Sequence, residues 1–362
     1  MNRIADFHLQ STRLFGRLLT ITDTPYTTIF GKYDYIFTHR QIENEGEIEK
    51  IISYCKPTST IIVDITTESG QVEVFLNVFK QIIKNYNYKF VLIADVPIKE
   101  NLNCKVIDDY SLAFASHLND NLFGRVYFHT TGASLKHGLN SFNGSLRNQR
   151  VWLNWLLVRK FKNSELPLSV EFHHYINGEN GPAFVEKEWN EFLKKFPKEV
   201  EENLRDRQFI TKHTEKNPIL LNEYNKVSSL TETINLVSEN VVGSDMNVGD
   251  DKHHITFTEK TIKPFIRGQI PLIHGYFGLQ NELRKLGFDL FDDLIDNSYE
   301  QESDSYKRLQ MLVDESYRLL NIDTETYLKN NIKRVYNNKK LCEKLVYKGK
   351  TLIYNLVEEI IL

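Results

Sequence analysis

The sequence predicts an α/β protein built on parallel sheets and divided into two halves. Three observations carry this. Short β-branched apolar runs alternate with amphipathic stretches whose apolar residues recur every three or four positions. The strongest runs are apolar throughout, as strands covered on both faces are. The 362 residues exceed what one typical core accommodates.

In the first half, Tyr33–Thr38, Ile61–Ile65, Phe90–Ala94 and Arg125–His129 read as strands. Glu45–Tyr54 and Val72–Tyr86 between them read as helices. The turn-rich stretch Thr130–Leu139 marks a break. A strand then follows at Leu139–Phe142, a small loop at Asn143–Ser145, and a helix from Leu146 to Phe161. Glu179–Asn222 is polar and poor in strand signals, which predicts helices and loops. Regular pattern resumes with a strand at Thr233–Ser238, a helix at Glu259–Gly268 and a strand at Ile270–His274. Helices dominate from there, ending in one at Leu341–Ile361. The expected divisions are residues 1–135, residues 136–335 and a closing helix, 336–362, packing back on the first.

Composition narrows the function classes. The chain is 41% hydrophobic and 26% charged with a formal net charge of −3, so no global basic field points to nucleic acid. Cys55, Cys104 and Cys342 are far apart and lack C-x-x-C spacing, which fits neither a disulfide framework nor a zinc site. No run of ~18 apolar residues suggests a transmembrane segment. The N-terminus lacks the compact apolar core of a secretion signal. A cytoplasmic protein is expected.

Two segments carry chemistry. In the first, Glu239 closes a strand and Thr258 stands where it can cap a helix that opens with Glu259 and Lys260. A helix N-terminus suits a phosphate, and Lys260 and Lys263 add charge one turn apart. A glutamate beside it can accept from both hydroxyls of a ribose. Pro264 fits poorly in a helix interior, so the helix is expected to start nearer Thr261 or to kink. The second segment, Phe142–Arg150, is a small loop opening a helix that bears Arg147 and Arg150, residues able to clamp a pyrophosphate.

Together, in this order, the two segments resemble the donor half of the α-1,3-fucosyltransferases and related GT-B glycosyltransferases. Arg147-Asn148 resembles the pair that opens the first helix of that half. Glu239-Asn240 resembles its strand ending in Glu-Asn, and Thr258-Glu259-Lys260 with Ile270–Gly275 resembles its Thr-Glu-Lys helix and following strand. The resemblance spans roughly Asn140–Arg308. It implies a GT-B fold, two Rossmann-like domains with parallel sheets facing a central cleft. It implies that Arg147 and Lys260 bind the pyrophosphate of a nucleoside-diphosphate sugar, GDP-linked among the candidates, and that Glu259 binds the ribose. The stretch Gly278–Arg308 resembles the continuation seen in viral and bacterial relatives, so the cytoplasm would be that of a bacterium or of a virus-infected cell.

Transferases of this kind are inverting, and need a carboxylate to deprotonate the acceptor hydroxyl. Glu68, on the loop after the strand Ile61–Ile65, is the first candidate; Asp64 and Asp95 follow on the same positional argument. D-x-D and H-E-x-x-H motifs are absent, so a metal-independent reaction without cofactor is expected, the cations and helix dipole stabilising the leaving group. The acceptor is open among a glycan, a protein or another hydroxyl compound, and modified nucleic acid, the last not indicated by the charge balance. The alternative is a non-catalytic binding or scaffold protein on a degenerate fold. A phosphorylase or epimerase on the same two-domain plan is a third reading.

Overall fold

A computed structural model of the chain describes residues 4–6, 33–39, 52–53, 55–65, 72–117, 135–143, 148–161, 164, 166, 168–172, 198, 211–213, 232–239, 255 and 257–361. These fall into two units. The first comprises Met1–Leu122, Asp251–Glu259 and Leu341–Leu362; the second comprises Phe123–Asp250 and Lys260–Lys340. The protein is mixed α/β, with a largely parallel sheet in each unit, consistent with Rossmann-like architecture.

In the first unit the strands are β1 (Ile4–Asp6), β2 (Tyr33–His39), β3 (Cys55–Asp64), β4 (Lys89–Ala94) and β5 (Lys105–Asp108), all parallel and adjacent in chain order. Strand β3 begins earlier than its apolar run. Between the pairs Tyr33↔Cys55 and Tyr35↔Thr60 the register shifts, so residues 56–59 bulge out. Pro57, which has no N–H for the ladder, lies within that bulge. The Ser59 hydroxyl accepts from the Lys56 N–H at 2.7 Å across it. In β4, Val91 to Ala94 are fully buried, as both-face coverage requires. Helix α1 (Val72–Asn85) presents Leu76, Phe79 and Ile82 to this core, and Phe79 meets Phe90 edge-on at 5.9 Å. Helix α2 (Tyr110–His117) is capped by Asp109, which accepts from the Ser111 N–H at 2.8 Å. The read strand Arg125–His129 and most of the helix Glu45–Tyr54 lie outside the described residues.

The second unit holds β6 (Lys136–Asn143), α3 (Asn148–Phe161), β7 (Leu168–Phe172), β8 (Thr211–His213), β9 (Glu232–Ser238), α4 (Glu259–Arg267) from Lys260 on, and β10 (Ile270–His274). Its sheet runs β10-β9-β6-β7-β8, parallel except for the β7–β8 edge. Strand β8 falls in a stretch read as helices and loops; its three residues, TKH, have no apolar run to reveal it. Helices α5 (Leu279–Leu286), α6 (Ser305–Leu319) and α7 (Thr324–Asn330) follow. The last helix, α8 (Ile332–Ile361), starts well before Leu341, because its first turns are polar and give no periodic signal. Its residues from Leu341 belong to the first unit.

Pro264 sits inside α4 without delaying its start. The helix is held at both ends instead. Glu239 accepts from the Thr261 N–H near its beginning at 3.0 Å. At its end Gly268 takes φ 74°, and the Gln269 N–H returns to the Pro264 carbonyl at 2.9 Å. A Cβ on Gly268 would also lie 2.7 Å from Val335.

Candidate functional site

The second sheet has a topological switch point. From β6 the chain moves outward to β7 and β8, then returns on the other side of β6 as β9, with β10 beyond. Connections leaving the carboxyl ends of β6 and β9 therefore diverge, which opens the crevice where α/β sheets hold ligands. The first sheet has no such reversal among its described strands.

Residues flanking the switch point are those of the two motifs. Arg147 and Asn240 lie outside the described residues, and Asn148 is described only in its backbone, as the first residue of α3. Glu239 is 1% exposed, and its N–H donates to the His274 carbonyl at 2.8 Å, continuing the β9–β10 ladder. Its Oε1 accepts from both the N–H and the hydroxyl of Thr261. The carboxylate thus holds the first turn of α4 against the end of β9. One of its oxygens is thereby engaged on the helix.

Arg150 differs from expectation. It is 1% exposed and directs Nε and Nη2 at the Ser238 carbonyl, at 3.3 and 3.1 Å. Its neighbour Gln149 donates Nε2 to the Glu239 carbonyl at 3.2 Å. The first turn of α3 therefore clamps the carboxyl end of β9. The fork geometry that suits a pyrophosphate suits a carbonyl equally well, and burial decides which it meets here. Arg150→Met is expected to lower stability by about 1–3 kcal/mol, because a buried carbonyl loses its donors. Nucleoside-diphosphate affinity of the folded variant should stay unchanged. Melting and titration check both; lost affinity with an unaltered melting temperature would return Arg150 to the pyrophosphate.

On α4, Lys260 is half-buried and Lys263 is buried. Glu259 is helical in its backbone, with its side chain outside the described residues. Thr258 is buried and belongs with the first unit, where the preceding Phe257 packs on Tyr110 and Phe114.

Beyond β10 lies a buried polar cluster that the sequence did not disclose. Arg308 is fully buried and donates Nη1 to the Gly275 carbonyl at 3.3 Å; its Nε and Nη2 find no partner among the described residues. Glu300 Oε2 accepts from the Gln280 N–H in the first turn of α5, at 3.4 Å. Burial pushes the Glu300 carboxyl up to about 7, against the opposing pull of Arg308. Burial and Arg308 together hold His274 down to about 3, so its imidazole is neutral. Gln280 in turn donates to the Tyr299 hydroxyl. Charged letters within a polar stretch gave no sign of this burial.

In the first unit, Asp64 is the last residue of β3 and Asp95 follows β4 by one; both are 2% exposed. Asp64 stands opposite Ile93, so the two carboxylates occupy neighbouring strand ends. Glu68 lies outside the described residues. Among the described residues no group of three or more His, Cys, Asp or Glu could hold a metal ion, and no helix is long and apolar enough to cross a membrane. Comparison with protein-family models, curated proteins and solved structures found no match to this chain.

Proposed function

We propose that the second unit binds the diphosphate of a nucleotide sugar and that the protein is a glycosyltransferase of GT-B type, inverting and metal-independent. One observation carries this reading: the reversal of strand order between β6 and β9, with Arg147 following β6 in the sequence and Glu239 with α4 following β9. Ligands of open α/β sheets bind outside the carboxyl ends of strands at such a reversal. The N-terminus of α4 supplies the positive end of a dipole, with the Thr261 N–H held by Glu239, and Lys260 stands in its first turn. In this reading Lys260 and Arg147 neutralise the diphosphate, Glu239 fixes α4 rather than the ribose, and Glu259 and Asn240 contact the nucleoside. Glu68, Asp64 and Asp95, the candidates for the base, belong to the first unit.

The engagement of Glu239 and Arg150 on main-chain groups favours a second reading, in which these charges only hold the fold and the protein binds without catalysing. Thermal melting with GDP, UDP, CDP and ADP separates the two. A ligand at a hundred times its Kd adds about 2.7 kcal/mol to the native state. One diphosphate should raise the melting temperature by several degrees, and Lys260→Ala should weaken it at least tenfold, since a charge-assisted hydrogen bond contributes about 1.5–3 kcal/mol. The matching sugar nucleotide should then release diphosphate in the presence of acceptor. Binding without release would leave the scaffold reading; no shift at millimolar concentration would remove the donor site.

A further inference from the structure

At the opposite, amino end of the second sheet lies a half-open cavity of about 570 Å³. Leu135 precedes β6, Thr233 is near the start of β9 and Gly268 precedes β10, and all three line it. It is therefore separate from the switch point at the carboxyl ends. Its volume falls in the ~300–1,000 Å³ range of small-molecule sites. Ile266, Leu328 and Val335 form an apolar wall. Ile332 and Tyr336, one turn apart on α8, complete the lining at 62% and 55% exposure. The polar groups of the lining are largely engaged within the protein. Thr233 bonds the Thr324 hydroxyl at 2.6 Å, Glu325 pairs with Lys329 at 2.6 Å, and Arg267 and Lys339 each have partners of their own. The walls are also fixed from outside the cavity. Gly268 lies so close to Val335 that a side chain would collide with it. Behind the junction of α7 and α8, Arg334 donates to Asp289 and Asp293, and Asn338 both donates to and accepts from the Asp289 main chain. His137 ties the start of β6 to Thr324 and to the Leu320 carbonyl.

We propose that this cavity binds a neutral molecule that is mostly hydrocarbon. A well-held water needs about two to four polar partners, which an aliphatic wall does not offer. Poorly held water is displaced favourably by an apolar group. Seating such a group also takes Ile332 and Tyr336 out of water. An ionised head group inside would lose its hydration, because the charges of the lining already have partners or, like Lys333, are exposed to solvent. The concave, pre-formed shape argues for a small ligand over a flat protein partner.

The probe is N-phenyl-1-naphthylamine, an uncharged dye that brightens in apolar surroundings, titrated into the full chain at neutral pH. It should bind saturably at one site per chain. 1-Decanol should displace it, and decanoate, with the same chain length and a charged head, should need a concentration at least about tenfold higher. Ile332→Asp and Tyr336→Asp should each weaken dye binding at least about tenfold through lost apolar contact, with an unchanged melting temperature because both positions are exposed. Tyr347→Asp, at 75% exposure on the same helix but outside the lining, should leave dye binding unchanged. Absence of saturable binding, equal displacement by decanoate, or an equal loss in Tyr347→Asp would overturn the proposal. So would a wild-type chain that takes no dye and is dimeric by sedimentation, with Ile332→Asp monomeric, because a second copy would then occupy this face.

Discussion

Gly349→Ala is expected to destabilise the protein by about 2 kcal/mol or more, although helix propensity alone predicts a gain. Gly349 lies inside α8, where glycine costs ~1 kcal/mol relative to alanine in an isolated helix. A Cβ at this position would lie 2.7 Å from the Ser111 carbonyl carbon, closer still to its oxygen, and 2.8 Å from the Ala115 Cβ. Those atoms belong to α2, and the carbonyl is main chain, so no rotamer change relieves the overlap. The helices must separate, and such overpacking costs ~1–3 kcal/mol beyond the propensity gained. Separation would also strain the flanking pairs, Lys348 with Asp109 at 2.5 Å and Lys105 with Glu359. Asp109 is held below the usual carboxylate range: its burial is outweighed by hydrogen bonds from Lys348 and Ser111. Thermal melting decides the sign. Tyr347→Ala, at 75% exposure on the same helix, should stay within ~0.5 kcal/mol of wild type. A raised melting temperature for Gly349→Ala would mean that α8 does not pack on α2 as closely as described.

The legible parts of this fold were those whose signal is local. Strand β10 coincides with its apolar run, and β4 and β9 each begin one residue before theirs, because strands buried on both faces carry near-continuous apolar runs. Strand β5, KVID, is half-buried along its whole length at a sheet edge and carries too short a pattern to register. Helix α4 was expected to be disturbed by Pro264; Glu239 and Gly268 hold its two ends from outside the local pattern. The candidate site divides in the same way. Strands β6 and β9, which the two motifs follow in the chain, were legible because chain order and strand ends are written in the sequence. Which way a charge faces is not. Arg150 and Lys263 have the composition of ligand-binding residues, yet their burial comes from elements distant in the chain. The burial of Arg308 and Glu300 likewise left no mark in the sequence.

Glu300→Gln is expected to stabilise the protein at pH 8 and to change little at pH 5. The ordinary carboxyl value of 4.5 is raised to about 7 here, first by burial, with Arg308, the Gln280 N–H and Arg284 each pulling it down. A group whose folded value lies above its unfolded one binds more protons in the folded state between the two. Stability is then fully present below about 4.5 and is lost as pH rises through about 7. At 1.36 kcal/mol per unit, the loss is about 3 kcal/mol. Glutamine keeps an acceptor for the Gln280 N–H but cannot ionise, so this part of the pH dependence should vanish. The difference in melting temperature between wild type and variant should open between pH 5 and pH 8 and reach several degrees. Other titrating groups cancel in that difference. The opposite result, a variant less stable at pH 8, would mean that the attraction between Glu300 and Arg308 exceeds the cost of burying the carboxylate. Arg308 would then depend chiefly on Glu300, ahead of Glu302 and Asp304, for compensation, and the pair would act as an ion pair. Either outcome fixes the charge state of the buried groups that border Gly275, next to the end of β9 where Glu239 holds α4 in place.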